Sequence, residues 1–230
     1  MSAFVSIIVP ALDEEASLGA CLAAVRSQHT PFETIVVDGG SRDRTLHVAG
    51  AHGVRLVEAP RGRASQMNAG ARQARGEVLL FLHADTILPR GALRAIRRAV
   101  RDGADAGAFR LRYEDSGVAF RLAGWLSDLH CRRTGDLFGD RAIFVRRPVF
   151  DEVDGFRALP LLEDLDLAVR LRARGRVIRL LDAAVVSSAR RLRAGGLWRG
   201  GMHAWRLVRD FHARRPLDRA AVEFYAAQAR

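Results

Sequence analysis

The chain lacks lysine and has little cysteine, and each shortage excludes a kind of site. All 37 basic residues among its 230 are arginine, so a phosphate loop of the Gly-x-x-x-x-Gly-Lys-Ser/Thr type cannot occur. Two cysteines, Cys21 and Cys131, are too few for a disulfide framework or, by themselves, for a structural zinc site. We therefore expect a protein of a reducing compartment, with the cytoplasm as its location.

Long apolar runs are also missing. Nowhere do 18 uninterrupted apolar residues occur, which argues against a membrane-spanning helix. The N-terminus has no basic segment, and its short apolar stretch at residues 3–10 predicts a first strand rather than a signal peptide. With 49% hydrophobic and 27% charged residues, the chain can bury a core, which excludes a disordered tail or a coiled-coil rod.

The net charge of +11 is confined to one end of the chain. Residues 1–169 carry 22 arginines and 22 acidic residues, so the whole excess lies in residues 170–230. We expect no nucleic acid partner, because a balanced body offers no broad basic face.

Short β-branched runs alternate with amphipathic stretches over the first hundred residues. The predicted strands are Val5–Val9, Thr34–Val37, Val54–Val57 and Val78–Leu82, and the predicted helices are Ala16–Gln28, Arg42–Ala51, Ala64–Arg75 and Arg90–Arg101. This alternation predicts an α/β fold with a mostly parallel sheet and helices on both faces. Beyond residue 103 it ends, with strands expected at Ala106–Tyr113, Ala142–Val145, Val177–Leu180 and Ala183–Val186, and helices near Phe120–Leu129 and at Leu161–Arg174.

Open α/β sheets bind ligands beyond the carboxyl ends of their strands, and in this chain those places are polar. Asp38 ends the second strand beside two glycines, where its carboxylate can accept a hydrogen bond from a nucleobase imide. His83 and Asp85 follow the fourth strand and point the same way, so they either share a divalent cation or form a structural hydrogen bond.

Other polar residues stand at predicted helix starts. Arg61 and Arg63 precede the third helix, a place that favours phosphate, although solvated surface arginines are the alternative. Glu163 and Asp164 open a later helix, where acidic residues favour the N-terminus. Ser41 or Asp43 caps the second helix in the structural interpretation of that turn.

These segments form a series in chain order. The series is Val9-Pro10-x-x-Asp-Glu14, Val37-Asp38-Gly-Gly-Ser41, Gly62-x-x-x-x-x-Asn68-x-Gly70, His83-x-Asp85 and Glu163-Asp164. Over about residues 4–187 it resembles the family 2 glycosyltransferases of the GT-A fold. More narrowly, the segments Gly62–Asn68, Phe81–Thr86, Gly139–Arg147 and Leu162–Asp164 are similar to a small bacterial branch known as selenodomain-associated transferase 2.

The resemblance implies a Rossmann-like GT-A domain at residues 1–189, with a nucleotide-binding half at about 1–103 and an acceptor half at about 104–189. It also implies a UDP- or GDP-sugar donor, a divalent metal ion (Mn²⁺ or Mg²⁺) and inversion at the sugar. The residues carried over are Pro10, Glu14, Asp38, Arg61, Arg63 and Asn68 for the nucleotide, Asp85 and His83 for the metal, Asp164 as general base, and Glu163, Asp140 and Gly139 near the acceptor.

Two departures from the family pattern qualify this expectation. His83 stands where the metal motif Asp-x-Asp has its first aspartate, so either His83 assists Asp85 or the dependence on metal is weaker. No Gln-x-x-Arg-Trp run follows Asp164, which argues against a processive polysaccharide synthase.

The remaining segment, residues 190–230, is basic and amphipathic. Over residues 190–215 it carries Trp198, Met202, Trp205, Val208 and Phe211 at helical spacing among arginines. Such a helix packs on the domain, serves a homodimer, or lies on the inner face of a membrane near a lipid-linked acceptor.

Two other functions remain open from the sequence. A sugar nucleotidyltransferase needs a Gly-rich basic loop, where this chain has Ala11–Glu14. A non-catalytic binder of nucleic acid or membrane leaves the carboxylates at the strand ends without a purpose.

Overall fold

The computed structural model describes residues 3–189, 196–217, 219–220 and 222–223. Its strands are β1 Val5–Ala11, β2 Phe32–Asp38, β3 Arg55–Glu58, β4 Val78–Phe81, β5 Thr86–Ile87, β6 Ala106–Tyr113, β7 Ile143–Arg146 and β8 Ile178–Ser187. Its helices are α1 Leu18–Arg26, α2 Thr45–Ala51, α3 Arg63–Gln73, α4 Ala92–Arg101, α5 Val118–Thr134, α6 Arg147–Glu152, α7 Glu163–Ala173 and α8 Leu197–His212, with a 3₁₀ turn at Gly139–Arg141.

The strands of this part of the chain form one sheet in the order β3-β2-β1-β4-β7-β6-β8-β5. The β3, β2, β1 and β4 neighbours pair in parallel, as do β6 and β8. In contrast, β7 runs antiparallel to both its neighbours, and β5 runs antiparallel to β8. The α/β fold and the mostly parallel sheet expected from the sequence are confirmed.

Helices cover both faces of the sheet because successive strand residues point to opposite sides. On β1, Ile7 and Val9 belong to the core beneath α1 and α4, while Ile8 belongs to the core beneath α3, α6 and α7. All three side chains are fully buried. The continuous apolar run of β1 is thus explained by burial on both faces.

The structure corrects two details of the expected strands. The runs Val177–Leu180 and Ala183–Val186 are parts of one strand, β8, which pairs with β6 on both sides of a register shift opposite Phe109 and Arg110. The polar interruption is a local irregularity of the strand, because the ladder resumes beyond it. β1 also runs through Ala11, so Pro10 lies within the strand and not beyond it.

The C-terminal helix α8 packs on the body of the protein. Its Leu207 and Asp210 side chains are buried, and His212 Nε2 lies 2.9 Å from Asp136 Oδ2. The same carboxylate contacts His130 Nε2 of α5 at 2.8 Å. The packed interpretation is therefore confirmed for the inner face of α8, whereas residues 190–195, 218, 221 and 224–230 of the expected segment lie outside the described residues.

Within the described residues, no helix is both long enough and apolar enough to cross a bilayer.

Helix α3 approaches the sheet closely because Gly70 has no side chain. A Cβ placed on Gly70 would lie 2.4 Å from Ile8 Cγ2 and 2.9 Å from Val37 Cγ2.

The replacement Gly70→Ala should therefore lower the free energy of unfolding by ~1–3 kcal/mol through overpacking, measured by urea denaturation. Gly50→Ala in α2 is the matched control, since nothing lies within 4 Å of its Cβ position; it should stabilise by up to about 1 kcal/mol. Equal effects at both positions would contradict this account of the packing.

Candidate active site

The loops that follow β1 and β2 are bonded to each other. Asp13 N–H donates to Ser41 Oγ at 3.0 Å, and Arg42 N–H donates back to Asp13 Oδ1 at 2.7 Å. Glu14 N–H donates to Thr45 Oγ1 at 2.8 Å. The two strand ends therefore form one rim, built largely from short polar side chains that accept backbone hydrogen bonds.

Asp38 fixes the loop that follows it. Its Oδ2 accepts the backbone N–H groups of Gly40 at 2.8 Å and Ser41 at 3.0 Å, and its Oδ1 accepts the Ser41 hydroxyl at 2.5 Å. The carboxylate is almost entirely buried. A nucleobase that binds Asp38 would donate a further hydrogen bond to a carboxylate that already accepts those of its own turn.

Gln66 is a positioning residue that the sequence analysis missed. From α3, its Nε2 donates to the carbonyl oxygens of Ala11 at 2.8 Å and Val37 at 2.9 Å. These carbonyls end β1 and β2, so the buried amide fastens the helix to both strand ends. The available signal was an amide among the small residues of α3.

Two of the residues expected to bind the nucleotide, Asn68 and Pro10, make structural contacts in the fold. The Asn68 side chain donates to the Phe156 carbonyl at 2.7 Å and accepts the Phe156 N–H at 3.0 Å. Pro10 is buried in β1 opposite Val37. Asn68 therefore holds the segment after α6 against α3.

The ends of β1 and β4 meet around Cys21 of α1. The Cys21 thiol donates to the His83 carbonyl at 3.6 Å. Burial, followed by the nearby carboxylates of Asp85 and Glu14, raises the pKa of this thiol to about 12. Glu14 and Asp85 thus lie within electrostatic reach of one buried atom, although they come from different strand ends.

The turn at Gly139 lies against His83 and Asp164. Gly139 N–H donates to Asp164 Oδ2 at 2.6 Å, while Asp164 Oδ1 accepts the Leu165 N–H at 2.8 Å. A Cβ on Gly139 would lie 2.5 Å from His83 Nε2 and 3.4 Å from Asp164 Oδ2. A larger residue here would displace the His83 ring, and three residues that were singled out separately in the sequence meet at this point.

This contact bears on the expected role of His83. Its Nε2 is shielded from solvent and lies beside the α-carbon of Gly139, and its part in binding a metal ion stays a prediction. Asp85 is half-buried, and its Oδ1 accepts the Thr86 hydroxyl at 3.5 Å. Across the described residues, no group of three or more His, Cys, Asp and Glu side chains could hold a metal.

Arg63 is paired with a carboxylate of α7, while 35% of its side chain stays exposed, and its part in binding phosphate stays a prediction. Its Nε lies 2.8 Å from Glu163 Oε1. Burial opposes the charge of Arg63, yet Glu163, Asp164 and Asp140 together raise its pKa. Arg61, in contrast, is exposed just before α3.

A buried ion pair with helix α5 fixes the Gly139–Arg141 turn, and neither partner of this pair was singled out in the sequence. Arg141 is fully buried, and its Nη1 lies 2.6 Å from Asp128 Oδ1 while its Nη2 lies 2.6 Å from Ser127 Oγ. Asp128 also contacts Arg110 Nε at 2.8 Å, and these two arginines lower its pKa against the effect of burial. Helix α5 thereby fixes the turn that contacts Asp164.

The family model for glycosyl transferase family 2 matches residues 6–159 of the chain. The chain belongs to this family. The match includes Asp38 and Asp85 and ends four residues before Glu163. Membership of this family argues against the two other functions that the sequence left open, a sugar nucleotidyltransferase and a non-catalytic binder of nucleic acid or membrane.

Relatives with curated names are also glycosyltransferases. An uncharacterized glycosyltransferase of Mycobacterium tuberculosis is 35% identical over 109 residues, which are 47% of this chain and 49% of the relative. A PGL/p-HBAD biosynthesis glycosyltransferase of Mycobacterium bovis is 42% identical over 91 residues, 36% of each chain. The chain thus aligns with about half the length, or less, of these relatives.

Solved structures share the fold. The mannosyltransferase PcManGT of Pyrobaculum calidifontis, solved with GDP-Man and Mn²⁺, superposes with a TM-score of 0.69 at 20% identity over 93% of this chain and 62% of its own. Glucosyl-3-phosphoglycerate synthase of Mycobacterium tuberculosis, solved with Mn²⁺, UDP and its product, superposes with a TM-score of 0.61 at 18% identity over 93% and 81%. The fold is that of the GT-A glycosyltransferases.

The carboxyl group of Glu163 makes the stability of the protein pH-dependent. Burial, followed by the charge of Asp164, raises the pKa of Glu163 to about 7 against the opposing effect of Arg63. A raised pKa means that the folded state binds this proton more tightly than the unfolded state. The contribution of Glu163 to stability is therefore complete below about pH 4.5 and is lost as the pH rises towards 7.

We therefore predict the difference in free energy of unfolding between the wild type and Glu163→Gln. This difference, wild type minus variant, should fall between pH 4.5 and 7 and stay constant above pH 7. The slope should not exceed about 1.4 kcal/mol per pH unit. Glu33→Gln is the control, because hydrogen bonds from Ser6 and Arg75 lower the pKa of Glu33 against the effect of burial. Its difference should be flat in this window, and a flat difference for Glu163→Gln would contradict the prediction.

Proposed function

We propose that the protein transfers a sugar from a UDP- or GDP-sugar to an acceptor hydroxyl, with inversion at the anomeric carbon. The observation that carries the proposal is the contact of Gly139 with both His83 and Asp164. It brings the loop that bears Asp85 to the first turn of α7. Asp85 and Asp164 are far apart in sequence, and this contact supports placing them around one substrate. Sugar transfer requires this, because the donor diphosphate and the attacking hydroxyl meet at one carbon.

On the donor side, Asp85 is the residue that fits a divalent ion. A single carboxylate suits Mg²⁺ or Mn²⁺, which complete their coordination with water and substrate phosphates. When bound, such an ion neutralises the charge that develops on a departing diphosphate. Arg61, exposed before α3, supplies a guanidinium group to the same diphosphate.

On the acceptor side, Asp164 takes the proton of the attacking hydroxyl. Its two oxygens accept the N–H groups of Gly139 and Leu165, which fix the carboxylate while leaving lone pairs for the hydroxyl. A base opposite the leaving group gives a single displacement and hence inversion. Glu163, paired with Arg63, positions this first turn of α7.

The solved relatives support the choice of donor, because one binds GDP-Man with Mn²⁺ and another binds UDP with Mn²⁺. Asp38 can serve either base, since uracil and guanine both carry an imide N–H. Both cysteines are unpaired and buried, which supports a cytoplasmic reaction. A lipid-linked acceptor is part of the proposal, with α8 near the membrane surface.

Calorimetric titration with UDP, GDP, CDP and dTDP, each with Mn²⁺ and with EDTA, tests the donor site. We expect UDP or GDP to bind with Mn²⁺ and at least about tenfold more weakly with EDTA. Asp85→Asn should remove the effect of Mn²⁺, while Asp164→Asn should bind as tightly as the wild type. Asp102→Asn, on the exposed end of α4, is the control that should change nothing. Binding of no nucleotide would overturn the donor site.

The base is tested by turnover of the donor whose nucleotide binds. Asp164→Asn should lower kcat by about 10²–10⁴-fold with little change in donor affinity. The loss should be smaller for Glu163→Gln, which keeps the hydrogen bond to Arg63. A wild-type kcat in Asp164→Asn would assign the base to another residue.

A further inference from the structure

Helix α5 carries an apolar stripe on its outer face. The side chains of Val118, Leu122, Trp125 and Leu126 are 80%, 50%, 54% and 51% exposed. Their spacing places them on one side of the helix, and the opposite side buries Gly124, Asp128 and Cys131. An exposed tryptophan among exposed leucines is a larger apolar area than single surface hydrophobics provide.

Helix α8 adds a second exposed apolar region. Met202 is 53% exposed and Trp205 is 63% exposed, while Leu207 and Asp210 face the body. α8 contacts α5, and both helices are tied to Asp136 through His212 and His130. We call the exposed side chains of α5 and α8 together the outer face.

The charged side chains that α5 and α8 themselves expose are basic, although Arg132 pairs with the exposed Asp182 of β8 and Arg209 pairs with Asp210. The only carboxylates in the sequences of α5 and α8 are Asp128 and Asp210, and both are buried. The exposed charged residues of the two helices are Arg121, Arg132 and Arg133 on α5, and Arg199, Arg206 and Arg209 on α8. The Arg209 guanidinium stacks over the Trp205 ring at 5.0 Å. Guanidinium groups and apolar side chains therefore alternate on this surface.

We infer that the outer face binds the surface of an anionic lipid bilayer. Tryptophan prefers the membrane interface, and basic residues beside it are attracted to anionic headgroups. A second copy of this chain would instead bring arginines against arginines, which disfavours a symmetric dimer through this face. Membrane contact is one of the three interpretations of the C-terminal segment, and the inference extends it to α5, a helix within the proposed catalytic domain.

The position of α5 gives the contact a consequence for the reaction. Asp128 on its inner side binds Arg141, and Arg141 belongs to the turn whose Gly139 contacts Asp164. The lipid surface would therefore lie on the far side of the helix that supports the proposed acceptor site. This arrangement, which rests on the proposed function, favours an amphiphilic acceptor.

Vesicle co-sedimentation tests the inference with the whole chain. We expect binding to vesicles that contain phosphatidylglycerol, little binding to pure phosphatidylcholine vesicles, and weaker binding as salt increases. The pair Trp125→Ala/Trp205→Ala should bind about tenfold or more weakly. The set Arg121→Gln/Arg133→Gln/Arg199→Gln should lose the preference for anionic lipid. Leu56→Ala/Val177→Ala, at exposed apolar positions elsewhere, should bind like the wild type.

Two results would overturn the inference: no binding to anionic vesicles, or equal binding by the tryptophan pair and the wild type. A concentration-dependent dimer that the tryptophan pair abolishes, seen by light scattering without vesicle binding, would assign the outer face to a second copy. Nucleotide titration of the same variants separates the two proposals. Intact nucleotide binding without vesicle binding would contradict only the membrane contact, and vesicle binding without nucleotide binding would contradict only the donor site.

Discussion

The hydrogen bond from Gly139 N–H to Asp164 Oδ2, at 2.6 Å, is the interaction on which the arrangement of the site depends. It joins the turn before β7 to the first turn of α7, and the absence of a side chain on Gly139 leaves room beside it for the His83 ring. The buried pair of Arg141 and Asp128 holds the turn from the other side. Moving the turn would separate the pair and leave an uncompensated buried charge, which is costly. The turn therefore has little freedom to move.

Much of the polar chemistry near the strand ends stabilises loops. Asp38 holds its own turn, Asn68 holds Phe156, and Arg63 holds Glu163. A buried polar group must find hydrogen-bonding partners, and at a rim made of loops the nearest partners are backbone N–H and C=O groups. The loops around the donor site are therefore largely organised before any ligand arrives, which lowers the cost of binding.

Helix α5 has two faces with different tasks. Its inner face supports the Gly139–Arg141 turn through Asp128, and its outer face exposes Trp125 among leucines and arginines. A helix whose apolar residues point outward is costly in water unless a partner covers them. The outer face thus links the domain that carries the chemistry to the surface on which we place its acceptor.

The sequence by itself determined the alternation of strands and helices, the family, and the carboxylates Asp38, Asp85 and Asp164 at strand and helix ends. These features are local, since periodicity and the residue types at strand ends are readable along the chain. The tertiary structure alone decided that β8 is one strand, that His83 Nε2 is covered, and that Gln66 and Arg141 position the site. Each of these depends on a partner distant in sequence, and no local pattern specifies which buried polar group meets which.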